Sequence, residues 1–161
     1  MADVARTEDK PPWVPPLWFK RAAWAFQRRM YRLTGGRYPL SRPSAERRTS
    51  GLLRLRTVGR RTGQERAVIL AYWEDGRNFV TLAMNGWEDP PPAWWLNLLA
   101  HPDVEVDTVD GPRRVHGREA VGPERERLWA ELAAYRGWGK GLDRYAALRS
   151  RPTPVVVLEP R

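Results

Sequence analysis

Leu52-Leu-Arg-Leu-Arg-Thr-Val58, Gly59-Arg-Arg-Thr-Gly-Gln64 and Ala67-Val-Ile-Leu-Ala-Tyr-Trp73 form the stretch that decides the fold. In the first segment Leu53, Leu55 and Thr57 share one face of an extended chain, and Arg54 and Arg56 share the other. That period of two belongs to a half-buried strand. The middle segment is a turn held open by two glycines. The third is a nearly continuous apolar run, which predicts a strand covered on both faces. Two strands joined by a short turn give an antiparallel hairpin, and the rest of the chain extends the pattern.

Asp75-Gly76 predicts a tight turn leading into a strand over 79–84. A short helix follows near 91–100, with Asp89 as its candidate cap and prolines in its first turn. Strands over 104–109 and 113–121 flank Asp110-Gly111, helices are expected near 123–136 and 141–150, and 155–158 closes the set. About six strands with helices between them predict an α+β fold, an antiparallel barrel with helices packed outside. Asp103, Glu105 and Asp107 alternate with Val104 and Val106, the pattern of a strand with one solvated face.

Upstream of the hairpin, residues 1–16 read as a polar, then proline-rich arm with Pro11, Pro12, Pro15 and Pro16. Phe19, Ala22, Ala23, Phe26, Met30 and Leu33 recur at helical spacing over 17–33, making an amphipathic helix that Gly35-Gly36 ends. Lys20, Arg21, Arg28 and Arg32 lie off that stripe. The apolar stripe suits packing on the barrel and equally a membrane surface. The division is therefore 1–49 for arm, basic helix and linker, and 50–161 for the barrel.

A chain of 161 residues suits one domain, and nine tryptophans give it large groups to bury. The absence of cysteine excludes disulfides, thiolate metal sites and cysteine nucleophiles. His101 and His116 lack zinc-site spacing, and Ser41, Ser44, Ser50 and Ser150 stand in no nucleophile-elbow turn. No metal is expected. The polar Met1–Lys10 segment lacks a secretory core, and no apolar run reaches the length of a membrane span. A cytoplasmic protein is expected, with contact at the inner membrane face through helix 17–33. The net charge of +9 is uneven: residues 1–66 carry +11 and residues 67–161 carry −2. So localised a field points to a particular anionic partner. Nucleic acid is not expected, because no RNA- or DNA-binding signature accompanies the charge.

Two clusters carry chemistry. Arg60, Arg61, Thr62, Gln64 and Arg66 surround the hairpin turn with guanidinium forks, a hydroxyl and exposed backbone N–H groups. These suit a phosphate or carboxylate, although a solvated basic loop is the plainer alternative. The second cluster is Met84-Asn-Gly-Trp87, followed by Pro92-Ala-Trp-Trp-Leu-Asn-Leu98. There a strand end and a helix start can hold a polar ring edge, with Trp87 and Trp94 as walls and Trp95 as core.

Gly59-Arg-Arg-Thr-Gly-Gln-Glu-Arg66, Pro92-Ala-Trp94 with Asn97-Leu98, and Val155-Val-Val-Leu-Glu-Pro160 together resemble the deazaflavin-dependent nitroreductase family, which includes F420H2-dependent quinone reductases. The resemblance covers about 50–160. It implies a split β-barrel that binds F420, a deazaflavin with a phosphate and a polyglutamate tail. It also implies hydride transfer to a quinone, nitro or activated alkene acceptor. The family's tail-binding positions fall on Arg60, Arg61, Thr62, Gln64 and Arg66, and its ring-binding positions on Met84, Asn85, Gly86, Ala93 and Trp94. Tyr145 falls where the family places an aromatic over the substrate, and Tyr135 is a second candidate proton donor. Many relatives carry a Ser-Lys-Gly-Gly-like stretch in place of Met84-Asn-Gly-Trp87, which keeps FMN as the alternative cofactor. The alternative function is a non-enzymatic flavin- or F420-binding or peripheral membrane-binding protein. A homodimer is the expected self-association.

Overall fold

The structure, a computed structural model, describes residues 10–138 and 141–161. The glycines at 137, 139 and 141 suggest a flap from the sequence; residues 139 and 140 within it, and most of the N-terminal arm, lie outside the described residues. Six strands close an antiparallel barrel in the order β1-β2-β3-β6-β5-β4: β1 Gly51–Val58, β2 Glu65–Asp75, β3 Asn78–Leu82, β4 Asp103–Thr108, β5 Gly111–Glu119 and β6 Val155–Pro160. The helices are α1 Leu17–Leu33, α2 Ala93–Ala100, α3 Gly122–Ala133 and α4 Leu142–Ala146. The expected α+β barrel is what forms.

Alternation along the strands sorts the core into two clusters. Leu53, Leu55, Tyr72, Val106, Val115, Val156 and Leu158 fill the barrel interior, joined by Trp95 and Leu98 of α2. Gly117 makes that insertion feasible, because a Cβ there would stand 2.6 Å from both methyl carbons of Leu98. On the outer side Trp73, Leu82, Val155 and Val157 pack against Leu128, Leu132 and Leu142 of α3 and α4.

Three expectations change. The acidic face of β4 is solvated only at one end: Asp103 is exposed, but Asp107 is buried, taking hydrogen bonds from Arg54, Arg56 and Tyr31, while the half-buried Glu105 pairs with Arg56. The register explains it, since β1 runs antiparallel to β4 with Arg54 opposite Asp107 and Arg56 opposite Glu105. Opposite charges facing across a ladder attract, so the basic face of β1 and the acidic face of β4 complete one another. Asp89 does not cap α2, whose N-cap is Pro92; its carboxylate accepts from the Ser150 N–H at 2.6 Å and hydroxyl at 2.7 Å. Finally, helix α1 has the expected boundaries but turns its apolar stripe outward, with Phe19, Phe26 and Leu33 exposed and Lys20 buried.

Ion pairs tie the outer helix to the barrel and set an acid limit on stability. Arg127 bonds Asp75 and Arg118 bonds Glu124, holding both carboxyls below the usual carboxylate range. A lowered folded-state pKa contributes stability that is present above the unfolded value of about 4 and is lost as pH falls through the folded value. Urea melts should therefore give a constant midpoint from neutral pH down to about 5 and a falling midpoint below about 4.

Candidate functional site

The β1–β2 turn is built for close approach. Gly59 N–H donates to the Gln64 carbonyl at 2.8 Å, and Gly63, with φ +69°, returns its N–H to the Gly59 carbonyl at 2.7 Å. A side chain at position 59 would meet the Thr62 hydroxyl at 2.8 Å and the Gln64 carbonyl at 3.2 Å, so anything larger than glycine would have to displace the turn. Asn97 of α2, almost fully buried, accepts from the Arg60 N–H at 3.1 Å and donates to the Thr57 hydroxyl at 3.4 Å. One amide thus ties the turn to the start of α2.

The second cluster lies beside the first. From Asn85 to Trp87 the chain holds three successive positive φ values, +49° at Asn85, +61° at Gly86 and +67° at Trp87. Left-handed backbone at two non-glycine residues costs energy and persists only where surroundings impose it. Here they do. Asn85 donates to the Pro90 carbonyl at 2.8 Å, and Lys20 of α1 donates to the Gly86 carbonyl at 2.8 Å and to Glu88 at 2.9 Å. The buried Arg149 guanidinium bonds the carbonyls of Ala83 at 3.0 Å, Glu88 at 3.0 Å and Asp89 at 3.3 Å.

Between these clusters runs a groove of about 680 Å³. Arg60, Arg61, Thr62 and Arg66 line one part, and Met84, Asn85, Gly86, Ala93 and Trp94 another. Sequence reading placed these nine residues in two clusters; the fold joins them. Ile69 and Ala71 lie on its floor. The apolar run in β2 meets the core on both faces as expected, Val68 and Leu70 packing on the interior cluster and Ala71 and Trp73 on the outer one, and residues 67–71 also line the groove.

The remaining candidates stand outside the lining. Gln64 accepts from the Arg66 guanidinium at 3.4 Å. Trp87 stacks on Tyr145, with centroids 5.6 Å apart, instead of walling the groove. Tyr135 packs edge-on against Trp73 at 5.7 Å, and Trp138 contacts both Trp73 and Trp87. Burial pushes the Tyr135 hydroxyl upward. The two tyrosines therefore belong to an aromatic cluster behind Trp73 and Trp87.

Sequence reading missed the wall supplied by Trp24, Gln27 and Arg28 of α1, and the role of Asn97 as a tie. The wall follows from Lys20, Trp24, Gln27 and Tyr31 recurring three and four apart on one side of α1. The lone amide in the apolar Ala93–Ala100 helix was the signal for Asn97. Lys20 also brings a cation to the turn that the Met84–Trp87 segment itself lacks. Replacing it by Met should free α1 amides to exchange faster and weaken ligand binding in the groove by up to about 1.5–3 kcal/mol, the worth of a hydrogen bond to a charged group. Hydrogen exchange on α1, with Lys20→Arg as partial rescue, reads this.

Charge decides what the groove accepts. Arg54, Arg56, Arg118 and Arg127 all have carboxylate partners, whereas Arg60 and Arg61 have none among the described residues. No histidine or carboxylate lines the groove there either. One end thus carries arginines without carboxylate partners among the described residues, and the rest is largely apolar with a left-handed turn at its rim. The buried Trp73 Nε1, on a groove-lining residue, lacks a hydrogen-bond partner among the described residues. A flat, partly polar ring carrying an anionic tail fits this donor set.

The model of the F420H(2)-dependent quinone reductase family matches residues 24–160. An F420H(2)-dependent quinone reductase of Mycobacterium tuberculosis is 34% identical over 136 residues, covering 82% of this chain and 86% of its own. Among solved structures, a domain-swapped dimer superposes with a TM-score of 0.62 at 25% identity, covering 86% of this chain and 99% of its own. An F420-H2 dependent reductase gives 0.59 at 27% identity, covering 67% and 93%.

Proposed function

The chain belongs to the F420H(2)-dependent quinone reductase family, and from that premise we propose that it is an F420H2-dependent oxidoreductase whose acceptor is a quinone. The observation that carries the reading is one groove joining Arg60 and Arg61, which lack carboxylate partners among the described residues, to the left-handed turn at Asn85-Gly86 and to Trp94.

The reduced deazaflavin, when bound, supplies a hydride to the acceptor. Arg60, Arg61, Thr62 and Arg66 would hold its phosphate and carboxylate tail by charge-assisted hydrogen bonds. Met84, Asn85, Gly86, Ala93 and Trp94 would hold the ring. Ile69 and Ala71 would keep water from the groove, of which α1 supplies a wall through Trp24, Gln27 and Arg28. Gln64 steadies Arg66. With no histidine or carboxylate in the described groove lining, solvent supplies the proton, and Tyr135 and Tyr145 belong to the aromatic cluster with Trp73 and Trp87.

Nitro compounds and activated alkenes are further acceptors of the same hydride. The outward apolar face of α1 favours peripheral membrane contact as a companion to catalysis. A homodimer is supported by the domain-swapped relative, and light scattering reads the state. The test of the activity is loss of F420H2 absorbance with a soluble quinone, a nitroarene and an activated alkene supplied in turn. Turnover with the quinone is the expected result. Cofactor held without turnover on any acceptor would instead favour a binding protein, and oxidation of reduced FMN alone would replace F420 by FMN.

A further inference from the structure

Helix α1 is held across the groove at two points. Lys20 donates to the Gly86 carbonyl and to Glu88. Further along the helix Tyr31 donates to Asp107 at 3.2 Å, with the Arg54 guanidinium 4.7 Å from the centre of its ring. Between these tethers, on the same side of α1, Trp24, Gln27 and Arg28 line the groove. Their side chains make no hydrogen bond, ion pair or ring contact among the described residues, and none of them joins either hydrophobic cluster. The other two amides of the groove lining are engaged: Asn85 donates to Pro90, and Asn97 is shared between Arg60 and Thr57. Gln27, half-buried, keeps both its donor and its acceptor free among the described residues. A polar group so placed has lost part of its hydration and has no protein partner in exchange, which suits it to a ligand.

We propose that Trp24 and Gln27 form the acceptor side of the groove, Trp24 stacking on a planar quinone and Gln27 donating to its carbonyl oxygen. The inference rests on the function proposed above. Every position assigned there to the cofactor belongs to the β1–β2 hairpin, the Met84–Gly86 turn or the start of α2, so α1 is the side wall left for the second reactant. Hydride transfer needs the two reactants in contact, held from opposite sides. An indole supplies a flat apolar face, and a primary amide supplies a neutral N–H that a carbonyl accepts. A hydride added to one oxygen of a 1,4-quinone brings both electrons and leaves the other oxygen anionic; a proton from solvent completes the hydroquinone. The Gln27 N–H would bond that oxygen more strongly as its charge develops, and Arg28 adds a cation to the same wall.

The experiment uses the full chain with Gln27→Leu, Gln27→Glu and Trp24→Ala, which leave both tethers of α1 in place, and urea melts check folding. Calorimetric titration with menadione in excess oxidised F420, where no hydride can pass, should show binding weakened about tenfold by Gln27→Leu and about three- to tenfold by Trp24→Ala. F420 affinity should stay that of the parent. Gln27→Glu keeps the shape of the amide and loses its donor, so kcat with menadione should fall by a larger factor than KM rises. A side chain that merely spaces the wall would tolerate that change, and a parental kcat in Gln27→Glu would overturn the role of Gln27. Parental menadione binding in all three variants, or no menadione binding by the parent, would overturn the acceptor side altogether. So would a loss of F420 affinity equal to the loss for menadione, which would give α1 to the cofactor. Menadione binding that the variants weaken, in a parent that oxidises no F420H2, removes the proposed function and leaves the acceptor side; turnover with parental KM in every variant does the reverse.

Discussion

Arg60→Ala combined with Arg61→Ala weakens F420 binding by about 2–4 kcal/mol, roughly 30- to 900-fold, while leaving folding within about 0.5 kcal/mol. The two halves of that expectation have separate causes. Both side chains are exposed and lack carboxylate partners among the described residues, so their loss strands no buried charge. Both line the groove at its anion end, where a phosphate or glutamate tail would receive two forks at once. Removing them should also flatten the salt dependence of binding, because fewer ionic contacts remain to be screened. Titration of the double variant at two ionic strengths checks both effects. Unchanged affinity in a folded double variant would remove the turn from the cofactor site.

The second large effect is structural and reaches the site indirectly. Arg149→Ala should cost about 3–5 kcal/mol of folding stability, the range for breaking a buried charged network. Its guanidinium is 6% exposed and bonds Ala83, Glu88, Asp89 and Thr153 at 3.0–3.3 Å. Desolvation draws its pKa down, and the backbone dipoles that surround it replace the lost water. Without it the carbonyls on either side of Asn85–Trp87 lose their donor, and the left-handed turn loses what imposes it. Folded Arg149→Ala should then bind F420 more weakly than Arg149→Lys, which keeps a cation. Urea melts give the stability and a titration below the transition gives the affinity.

Periodicity made most of the barrel legible. Leu53, Leu55 and Thr57 against Arg54 and Arg56 fixed the faces of β1, and the 17–33 helix was bounded by Pro16 and Gly35-Gly36 as expected. The direction in which a face points is another matter. Spacing revealed that α1 has two faces, but Lys20 becomes its buried residue because Gly86 and Glu88, 66 and 68 positions away, supply its partners. The acidic alternation of β4 likewise looked solvated until β1 placed two arginines opposite it. Asp89 resembled a cap because local spacing says nothing of Ser150. In each case the deciding partner is distant in sequence.

The site was legible in composition and not in assembly. Arginines around glycines suggested an anion-binding turn, and Met84–Trp87 suggested a strand end able to hold a ring edge, but their union in one groove depends on the fold, and the left-handed backbone at Asn85–Trp87 was not foreseen. Trp87 and Tyr145 show the limit of reading aromatics by type. Both suit a planar ligand, yet they stack on one another.

The most direct test of the account is a fluorescence titration of the purified protein with F420, with FMN run in parallel. Saturable binding of F420, lost in the Arg60→Ala/Arg61→Ala variant and much weaker for FMN, is the result the groove predicts. No binding of F420 by folded protein, or binding of FMN alone, would contradict it.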